Sequence, residues 1–286
     1  MSQILVTGSL HYDIMLQADH RPEKGETVIG SRCSYKFGGK GGNQAVAAAR
    51  AGAAVRFAGA VGDDAPGAFL LAVLDEHGID SRVAVKAGEP SGMSVAIQDA
   101  EGDYGAVVVS GANTLIEPQA LAEASLWQQV GMLVLQNEVT DAVNLAAAQA
   151  ARQRAIPVCI NAAPARPLSP ALIACLDLLV VNGVEARDMS GISVNSLADA
   201  LLAAQALGQH YPAVVVTAGE HGVAWVEAGQ PAQSLAAQKV ALVSTHGAGD
   251  CFMGMLCATL LQGEPLSTAV ARANQAAAEH VSRPAA

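Results

Sequence analysis

The chain has 286 residues, of which 51% are hydrophobic and 15% are charged, and its formal net charge is −10. This hydrophobic content excludes a disordered chain and is sufficient for a large packed core. The acidic balance, without any cluster of lysines and arginines, excludes a nonspecific nucleic-acid-binding protein, and we expect no nucleic-acid partner.

The sequence also indicates a cellular location. No run of about 18 apolar residues marks a membrane span, and the N-terminal sequence MSQILVTGSLHYD lacks the basic start and apolar stretch of a signal peptide. We therefore expect a cytoplasmic protein with no membrane partner. The cysteines show no metal-binding or redox spacing, and we interpret them as small buried hydrophobic residues in a reducing compartment. They are Cys33, Cys159, Cys175, Cys251 and Cys257.

Short β-branched runs alternate with alanine-rich runs of helical period along the chain. The predicted core strands are residues 3–8, 55–62, 132–137, 157–161, 178–182 and 213–217. The predicted helices are residues 43–51, 67–77, 118–127, 141–154, 197–208, 249–262 and 267–280. Continuously apolar strands separated by helices indicate an α/β fold with a mostly parallel sheet and helices on both of its faces. No linker is visible, so we expect one domain over residues 1–286.

Two regions, residues 26–39 and 91–113, are strand-like without a helix between their strands. The second is typical of a hairpin with DAEGD as its turn. We interpret the two regions as a small β-sheet lid, built from residues 10–37 and 91–113.

Several predicted core strands end in polar residues. In open parallel sheets, ligands bind beyond the carboxyl ends of the strands, so these side chains are expected to line one edge of the sheet. The alternative is that each is an ordinary polar residue at the point where a strand leaves the core. The residues are Thr7, Asn137 with Glu138, Asn161, Asn182 and Thr217.

The sequence GAGD places Gly247, Ala248 and Gly249 directly before Asp250 and a long apolar helix. Small residues at a helix start expose backbone N–H groups, which together with the helix dipole favour an anion. An ionised carboxylate beside such an anion hole is suited to deprotonate a substrate hydroxyl. The alternative is an ordinary aspartate cap on a buried helix.

A second glycine cluster, FGGKGGNQ, places Lys40 and Asn43 before an alanine-rich helix. Exposed backbone, an ammonium group and an amide are suited to a polyhydroxy ligand, although a loop with a solvated lysine is the simpler alternative. The P-loop pattern is excluded because Lys40 is followed by Gly41. The dinucleotide-binding pattern is excluded because Phe252 occupies its third glycine position.

Two further motifs follow predicted strands. NGVEA places Asn182 and Glu185 on one side of a first helical turn, where Glu185 is suited to hold Mg²⁺ through water or simply to match the helix dipole. TAGEHG, residues 217–222, either wraps a nucleotide or is a generic turn.

Taken together, these motifs resemble the ribokinase family of sugar kinases along nearly the full chain. The matching elements are GSLHYD, KGETV, FGGKGGNQAVAAARAG, VGDD, GAN, NAAPARPL, VNGVEA, TAGEHGV and GAGDCF. The resemblance implies a three-layer Rossmann-like α/β fold with a β-sheet lid that often forms a dimer contact. It also implies Mg²⁺-assisted transfer of phosphate from ATP to the primary hydroxyl of a sugar, and NAAPARPL with the overall spacing favours ribose.

The resemblance also implies roles for individual residues. Asp250 falls on the catalytic base, and Gly247, Ala248 and Gly249 fall on the anion hole. Sugar-binding positions fall on His11, Asp13, Gly39, Lys40, Asn43 and Glu138. Nucleotide or Mg²⁺ positions fall on Asn182, Glu185, Thr217, Gly219, Gly222 and Asn274. A monovalent-cation position falls on Ser244 and on the backbone of His246.

The chain departs from the family pattern at three places. His11 stands where ribokinases usually have asparagine, which leaves deoxyribose, another furanose or a nucleoside open as the acceptor. Ser244 replaces an aspartate that helps to ligate the monovalent cation, so we expect weak K⁺ activation. The chain ends at VSRPAA, before a glycine-rich segment that commonly completes that cation site. Ser244 and this ending also leave open an inactive sugar sensor as a third interpretation.

Overall fold

The computed structural model describes residues 2–101 and 103–282. Its strands are β1 (Gln3–Thr7), β2 (His11–Gln17), β3 (Arg32–Gly38), β4 (Ala54–Gly62), β5 (Asp80–Lys86), β6 (Met93–Gln98), β7 (Tyr104–Val109), β8 (Val130–Gln136), β9 (Val158–Asn161), β10 (Leu178–Asn182), β11 (Ala213–Thr217), β12 (Val223–Glu227) and β13 (Gln233–Leu235). Its helices are α1 (Lys40–Arg50), α2 (Ala65–Glu76), α3 (Asp141–Arg152), α4 (Pro170–Ile173), α5 (Gly183–Ser190), α6 (Leu197–Leu207), α7 (Ala248–Leu261) and α8 (Leu266–Val281).

Within the described residues, nine strands form a large sheet in the order β13-β12-β11-β10-β9-β8-β1-β4-β5. Neighbouring strands are parallel from β5 across to β11, and β12 and β13 add an antiparallel edge. The predicted, mostly parallel sheet is therefore confirmed. The carboxyl ends of the parallel strands share one edge, so the polar residues that follow them meet there.

Two hydrophobic clusters cover the two faces of this sheet, which makes the fold three-layered. On one face, Leu5 and Leu133 pack with residues of α3, α4, α5 and α6. On the other face, the alternate strand residues Ile4 and Val134 pack with α1, α2, α7 and α8. Every central strand contributes to both clusters because successive side chains point to opposite faces. The predicted α/β class with helices on both faces is confirmed.

A small second sheet has the order β3-β2-β6-β7. β2 pairs antiparallel with β3 and parallel with β6, and β6 and β7 form the predicted antiparallel hairpin. The predicted turn DAEGD contains Gly102, which lies outside the described residues. The strand predicted from residue 26 begins only at Arg32. The small sheet packs on α2, where the Phe69 ring meets the Tyr12 ring edge-on at 5.2 Å.

The prediction of a helix at residues 118–127 is wrong. Two short 3₁₀ segments, Pro118–Ala122 and Ala124–Trp127, replace it, and the extended residue Glu123 separates them. Leu121, Leu126 and Trp127 are the buried residues of these segments. Their spacing of five or six residues does not match one face of an α-helix, so the chain breaks the helix to bury all three.

Other expectations need smaller corrections. α1 begins at Lys40 rather than at the predicted residue 43, and α7 begins one residue earlier than predicted. β5 and β13, the two edge strands of the large sheet, and β12, which lies next to β13, are strands that the sequence analysis did not predict. Cys33 is exposed and Cys251 is half-buried, contrary to the expectation that all the cysteines are buried. Across the described part of the chain, no helix has both the length and the apolar character needed to cross a membrane. The assignment of residues 1–286 to one domain stays a prediction.

Candidate active site

Asp250 lies in the first turn of α7 and is buried. Its Oδ1 accepts a hydrogen bond from the Gln44 amide at 3.0 Å, and its Oδ2 accepts one from the Asn43 amide at 3.2 Å. Burial raises the pKa of Asp250, whereas the charge of Lys40 and the two amide hydrogen bonds lower it. The amides fix the orientation of the carboxylate, whose remaining lone pairs are able to accept a proton.

Close packing of α1 against α7 brings Asp250 to its amide partners. Gly254 in α7 lies directly against Ala47 in α1, and a β-carbon at Gly254 would overlap with the Ala47 side chain. The glycine therefore allows the two helix axes to approach closely. This crossing joins the GGKGGNQ motif near the start of the chain to the GAGD motif near its end.

The residues before Asp250 begin α7 without a side-chain cap. Gly247 occupies the N-cap position in the left-handed region, with φ of 74°, which glycine adopts without strain. A β-carbon at Gly249 would meet no atom of the described residues within 4 Å, so the space beside this turn is open. An uncapped helix start with open space beside it is suited to bind an anion.

Lys40 begins α1 beside Gly39, whose φ is 86°. A β-carbon at Gly39 would lie 2.8 Å from the Ser9 carbonyl oxygen, so only glycine allows this close approach to the segment after β1. The charge of Lys40 lowers the pKa of both Asp250 and Glu185. Lys40 therefore links the predicted catalytic base electrostatically to the predicted metal residue.

Glu138, which follows β8, connects the ends of β1 and α1. Its Oε2 accepts hydrogen bonds from the Ser9 hydroxyl at 2.5 Å and from the Lys40 backbone N–H at 2.7 Å. Nδ1 of the buried His11 lies 3.9 Å from the same oxygen. His11 Nε2 has no hydrogen-bond partner among the described residues. A buried imidazole nitrogen without a partner is costly, so this atom is available to a ligand hydroxyl.

The small sheet contributes Asp13 to the same region. Asp13 on β2 accepts a hydrogen bond from the Ser94 hydroxyl on β6 at 2.5 Å. Burial raises the pKa of Asp13, while the Ser94 hydrogen bond and the charges that His11 and His246 carry when protonated lower it. His246, which lies just before the start of α7, is therefore near enough to Asp13 for its charge to act on that carboxylate.

Asn182 and Glu185 form a capping box at the start of α5. The Asn182 side-chain oxygen accepts from the backbone N–H groups of Val184 and Glu185, at 2.9 Å and 3.0 Å. In return, the Glu185 carboxylate accepts from the Asn182 backbone N–H at 2.7 Å and from its side-chain amide at 2.9 Å. Burial raises the pKa of Glu185, and the charge of Lys40 is among the effects that lower it. Both residues therefore have a structural role in addition to any role in binding.

The remaining predicted nucleotide residues lie on β11, on the turn that follows it and on α8. Thr217 ends β11, and Gly219 and Gly222 have φ values of 55° and 118°. A β-carbon at Gly222 would overlap with the last carbonyl group of β13, which explains the glycine. Asn274 on α8 donates to the Ala236 carbonyl oxygen at 3.0 Å and so ties the segment after β13 to this helix.

Sequence reasoning missed two buried glutamines that orient Asp250. Gln136 Nε2 donates to Gln44 Oε1 at 2.8 Å, and Gln44 Nε2 is shared between Asp250 and Asn161 Oδ1, the latter at 3.1 Å. This amide chain fixes which atom of Gln44 faces the carboxylate. The available signal was the position of Gln44 on the otherwise apolar face of α1, since a buried polar residue needs a partner.

A buried, amide-oriented carboxylate beside an uncapped helix start, with a lysine in electrostatic reach, defines a class of enzyme. The carboxylate is suited to accept the proton of a substrate hydroxyl, and the helix start is suited to hold the anionic group that the hydroxyl attacks. The site is that of a phosphotransferase with an alcohol group as acceptor.

The chain belongs to the pfkB family of carbohydrate kinases, because the profile of the pfkB family carbohydrate kinase matches residues 1–286. It is therefore a phosphotransferase that acts on a sugar hydroxyl. The family resemblance stated from the motifs is confirmed.

Individual relatives agree with this assignment. Ribokinase from Bacillus subtilis (strain 168) is 34% identical over 278 residues, which cover 97% of this chain and 92% of that protein. Deoxyribokinase from Salmonella typhi is 29% identical over 274 residues, which cover 94% and 89%. The solved structure of Arabidopsis thaliana ribokinase complexed with ribose and ATP has a TM-score of 0.91 at 26% identity, covering 100% of this chain and 95% of that chain.

Proposed function

We propose that this protein phosphorylates the primary hydroxyl of D-ribose with ATP and forms D-ribose 5-phosphate. The observation that carries the proposal is the contact of Asp250 with both Asn43 and Gln44, which joins the base to the helix that begins at Lys40. The similarity to ribokinases over nearly the whole chain supports ribose as the acceptor. We also expect the enzyme to act in the cytoplasm.

The sugar binds between the start of α1 and the small sheet. Asp13, Asn43 and Glu138 offer hydrogen-bonding groups for its hydroxyls, with the backbone at Gly39 and the Lys40 ammonium beside them. The unpaired Nε2 of His11 gains a partner when a sugar hydroxyl reaches it. Closure of the small sheet over the sugar excludes water and so suppresses hydrolysis of ATP.

Asp250 acts as the general base of the transfer. Its carboxylate accepts the proton of the sugar hydroxyl while the hydroxyl oxygen bonds to the γ-phosphorus and the bond from that phosphorus to the β–γ bridging oxygen of ATP breaks. ADP leaves with the electron pair of the broken bond. The backbone N–H groups of Gly247, Ala248 and Gly249 stabilise the negative charge of the phosphoryl oxygens.

ATP lies along the turn after β11. Thr217, Gly219 and Gly222 form this turn, whose two glycines allow the backbone to lie close to the nucleotide. Asn274 lies on the other side of the nucleotide site, where its hydrogen bond to the Ala236 carbonyl oxygen holds the segment after β13. The phosphates then extend from this turn toward the start of α7.

Mg²⁺ fits the donor set at the start of α5. Glu185 is a buried carboxylate whose pKa is raised by burial, so a nearby positive ion stabilises its charged form. Its oxygens already accept hydrogen bonds from Asn182, which favours contact with the ion through water. Mg²⁺ bound there would neutralise charge on the phosphates of ATP.

Deoxyribose is a second candidate acceptor, which His11 favours. Imidazole is larger than the amide that ribokinases usually place at this position, and a deoxyribokinase is among the relatives. Another furanose or a nucleoside would be a more distant variant of the same reaction.

A substrate panel tests the acceptor. We expect ribose to give a kcat/KM at least about tenfold above that of 2-deoxyribose, other furanoses and nucleosides, because a site built for a hydroxyl discriminates against its absence. The measurement is ADP formation at fixed ATP and Mg²⁺, with a reaction lacking sugar as the control. A higher value for deoxyribose would favour the second candidate, and sugar binding without ADP formation would favour the inactive sensor.

We propose that the active species is a homodimer that forms through the small sheet. β7 is an edge strand of that sheet, and Val107, Val108 and Val109 on it are exposed, as is Tyr35 on β3. An exposed apolar edge strand is suited to pair with a second copy of the chain.

Light scattering after size-exclusion chromatography tests the dimer. We expect the wild-type protein to have the mass of two chains and Val108→Glu to have the mass of one, because the charge would be buried without a partner in the interface. Leu202→Glu places the same charge on an exposed residue of α6 and is expected to leave the dimer intact. A monomeric wild-type protein, or a dimeric Val108→Glu variant, would contradict this assembly.

A further inference from the structure

The segment that leads into α7 is fastened to the end of α8. The backbone N–H groups of Val243 and Ser244 donate to the Val281 carbonyl oxygen at 2.8 Å and 3.2 Å. His280 Nε2 lies 2.9 Å from the His246 carbonyl oxygen. Because a carbonyl oxygen only accepts, Nε2 carries the proton and donates this hydrogen bond.

The two oxygens predicted to bind a monovalent cation, those of the Ser244 hydroxyl and the His246 carbonyl, already accept hydrogen bonds. The Ser244 hydroxyl oxygen accepts from the His246 backbone N–H at 3.2 Å, and the His246 carbonyl oxygen accepts from His280. Each oxygen thus faces a hydrogen that carries partial positive charge. Among the described residues, the hydrogen bonds at these two oxygens therefore do not fit a cation at Ser244 and His246.

We propose that the His280 imidazole takes the place of a bound monovalent cation and that turnover therefore does not depend on K⁺. This inference rests on the proposed kinase activity. The imidazole N–H directs positive charge at the His246 carbonyl, as a cation would. His280 is a positioning residue, because it contacts the backbone of the segment before Asp250 and not the substrate.

Peptide geometry explains how this contact acts on the anion hole. The peptide that joins His246 to Gly247 is planar, and its C=O and N–H groups point in opposite directions. Fixing the carbonyl toward His280 therefore fixes the Gly247 N–H on the other side. A β-carbon at Gly247 would lie 3.3 Å from His280 Nε2, so the ring also lies directly against this residue. The single imidazole determines the orientation of the first predicted donor of the anion hole.

The first experiment compares salts. Turnover of the wild-type enzyme is measured with saturating ribose, ATP and Mg²⁺ in KCl, NaCl, CsCl and tetramethylammonium chloride at equal ionic strength. We expect the four kcat values to agree within about twofold, because the hydrogen bond from His280 to the His246 carbonyl holds the segment in every salt. Activation by K⁺ of about tenfold or more over tetramethylammonium would overturn the inference, because it would require an ion to hold the segment.

The second experiment removes the imidazole. We expect His280→Ala to lower kcat by about fivefold with the ribose KM within about twofold, the size expected for one hydrogen bond that positions backbone. We also expect faster amide hydrogen exchange in the peptide covering residues 243–250. His280→Gln retains an N–H donor and should restore both quantities. His210→Ala, in the turn after α6, removes an exposed imidazole elsewhere and should change neither.

The outcomes separate this inference from the proposed function. If His280→Ala has the same kcat and the same exchange rates as the wild-type enzyme, the positioning role is overturned. If that variant does not fold, His280→Leu, which fills the space without a donor, is compared with His280→Gln, and equal kcat and exchange rates for these two would overturn the role. Absence of ribose-dependent ADP formation in every salt would count against the kinase proposal, while the exchange rates would still decide on the contact.

Discussion

Asp250→Asn is expected to lower kcat by about 10²–10⁴-fold, because an amide is unable to accept the proton of the sugar hydroxyl. Asparagine has nearly the same shape and volume as aspartate. The substitution therefore removes the charge at position 250 but hardly changes the packing against Asn43 and Gln44. The measurement is ADP formation under saturating ribose and ATP. Asp75→Asn, which alters an exposed carboxylate on α2, is the matched control and should retain normal turnover.

The same variant should not be less stable than the wild type at neutral pH. Burial raises the pKa of Asp250 above that of an unfolded aspartate, so its ionised form is less favourable in the folded chain than in the unfolded chain. This cost appears as pH rises from the unfolded pKa through the folded pKa, and protonation at lower pH removes it. The free energy of unfolding of Asp250→Asn, measured with denaturant, should therefore exceed that of the wild type by most at neutral pH. The difference between the two proteins should be smaller in acid. Near-normal turnover of Asp250→Asn would remove this residue from the role of base.

The main sheet could be predicted because its strands are uninterrupted apolar runs that end in polar residues. In the run at residues 178–182, for example, the first four residues are buried and the last, Asn182, caps α5. Edge strands gave weaker signals. β13 has three residues, all exposed, and no periodicity can identify so short a segment.

The start of α1 could not be predicted because the relevant constraint is a tertiary contact. Four glycines around Lys40 are typical of a loop, since glycine lowers helix propensity. In the structure, Gly41 packs against the backbone of Gly8 and Ser9, where a β-carbon would lie 2.6 Å from the Ser9 nitrogen. The helix therefore uses its glycines to approach β1 closely, and Lys40 enters the first turn as a result.

The motifs of the candidate site could be predicted from the sequence, whereas the contacts between them could not. The motifs indicated Asp250, Asn43 and Lys40 separately, but only the crossing of α1 and α7 shows that the Asp250 carboxylate is held by the amides of Asn43 and Gln44. The contact of His280 with the His246 carbonyl had no signal in the sequence. It depends on where α8 ends relative to a segment that lies 34 positions earlier.

Lys40→Met is expected to lower kcat/KM by about 10²-fold and to move the acid limb of the pH profile toward higher pH. We expect the Lys40 ammonium to stabilise the transition state through its charge, and loss of one preorganised charge-stabilising group costs about this much. The shift of the limb has a separate cause. The Lys40 charge lowers the pKa of Asp250, so its removal leaves the effect of burial less opposed and raises that pKa further.

The sign of the pH shift follows from the need for an ionised base. kcat/KM falls as pH drops through the pKa of Asp250 in the free enzyme, so a higher pKa means that activity is lost at a higher pH. Lys40→Arg keeps the charge and should keep the limb near its wild-type position even if its geometry lowers kcat. Lys24→Met, in the exposed segment before β3, should change neither quantity. An acid limb that stays in place in Lys40→Met would mean that the lysine charge does not act on the base, and the proposed electrostatic link between the start of α1 and Asp250 would then be wrong.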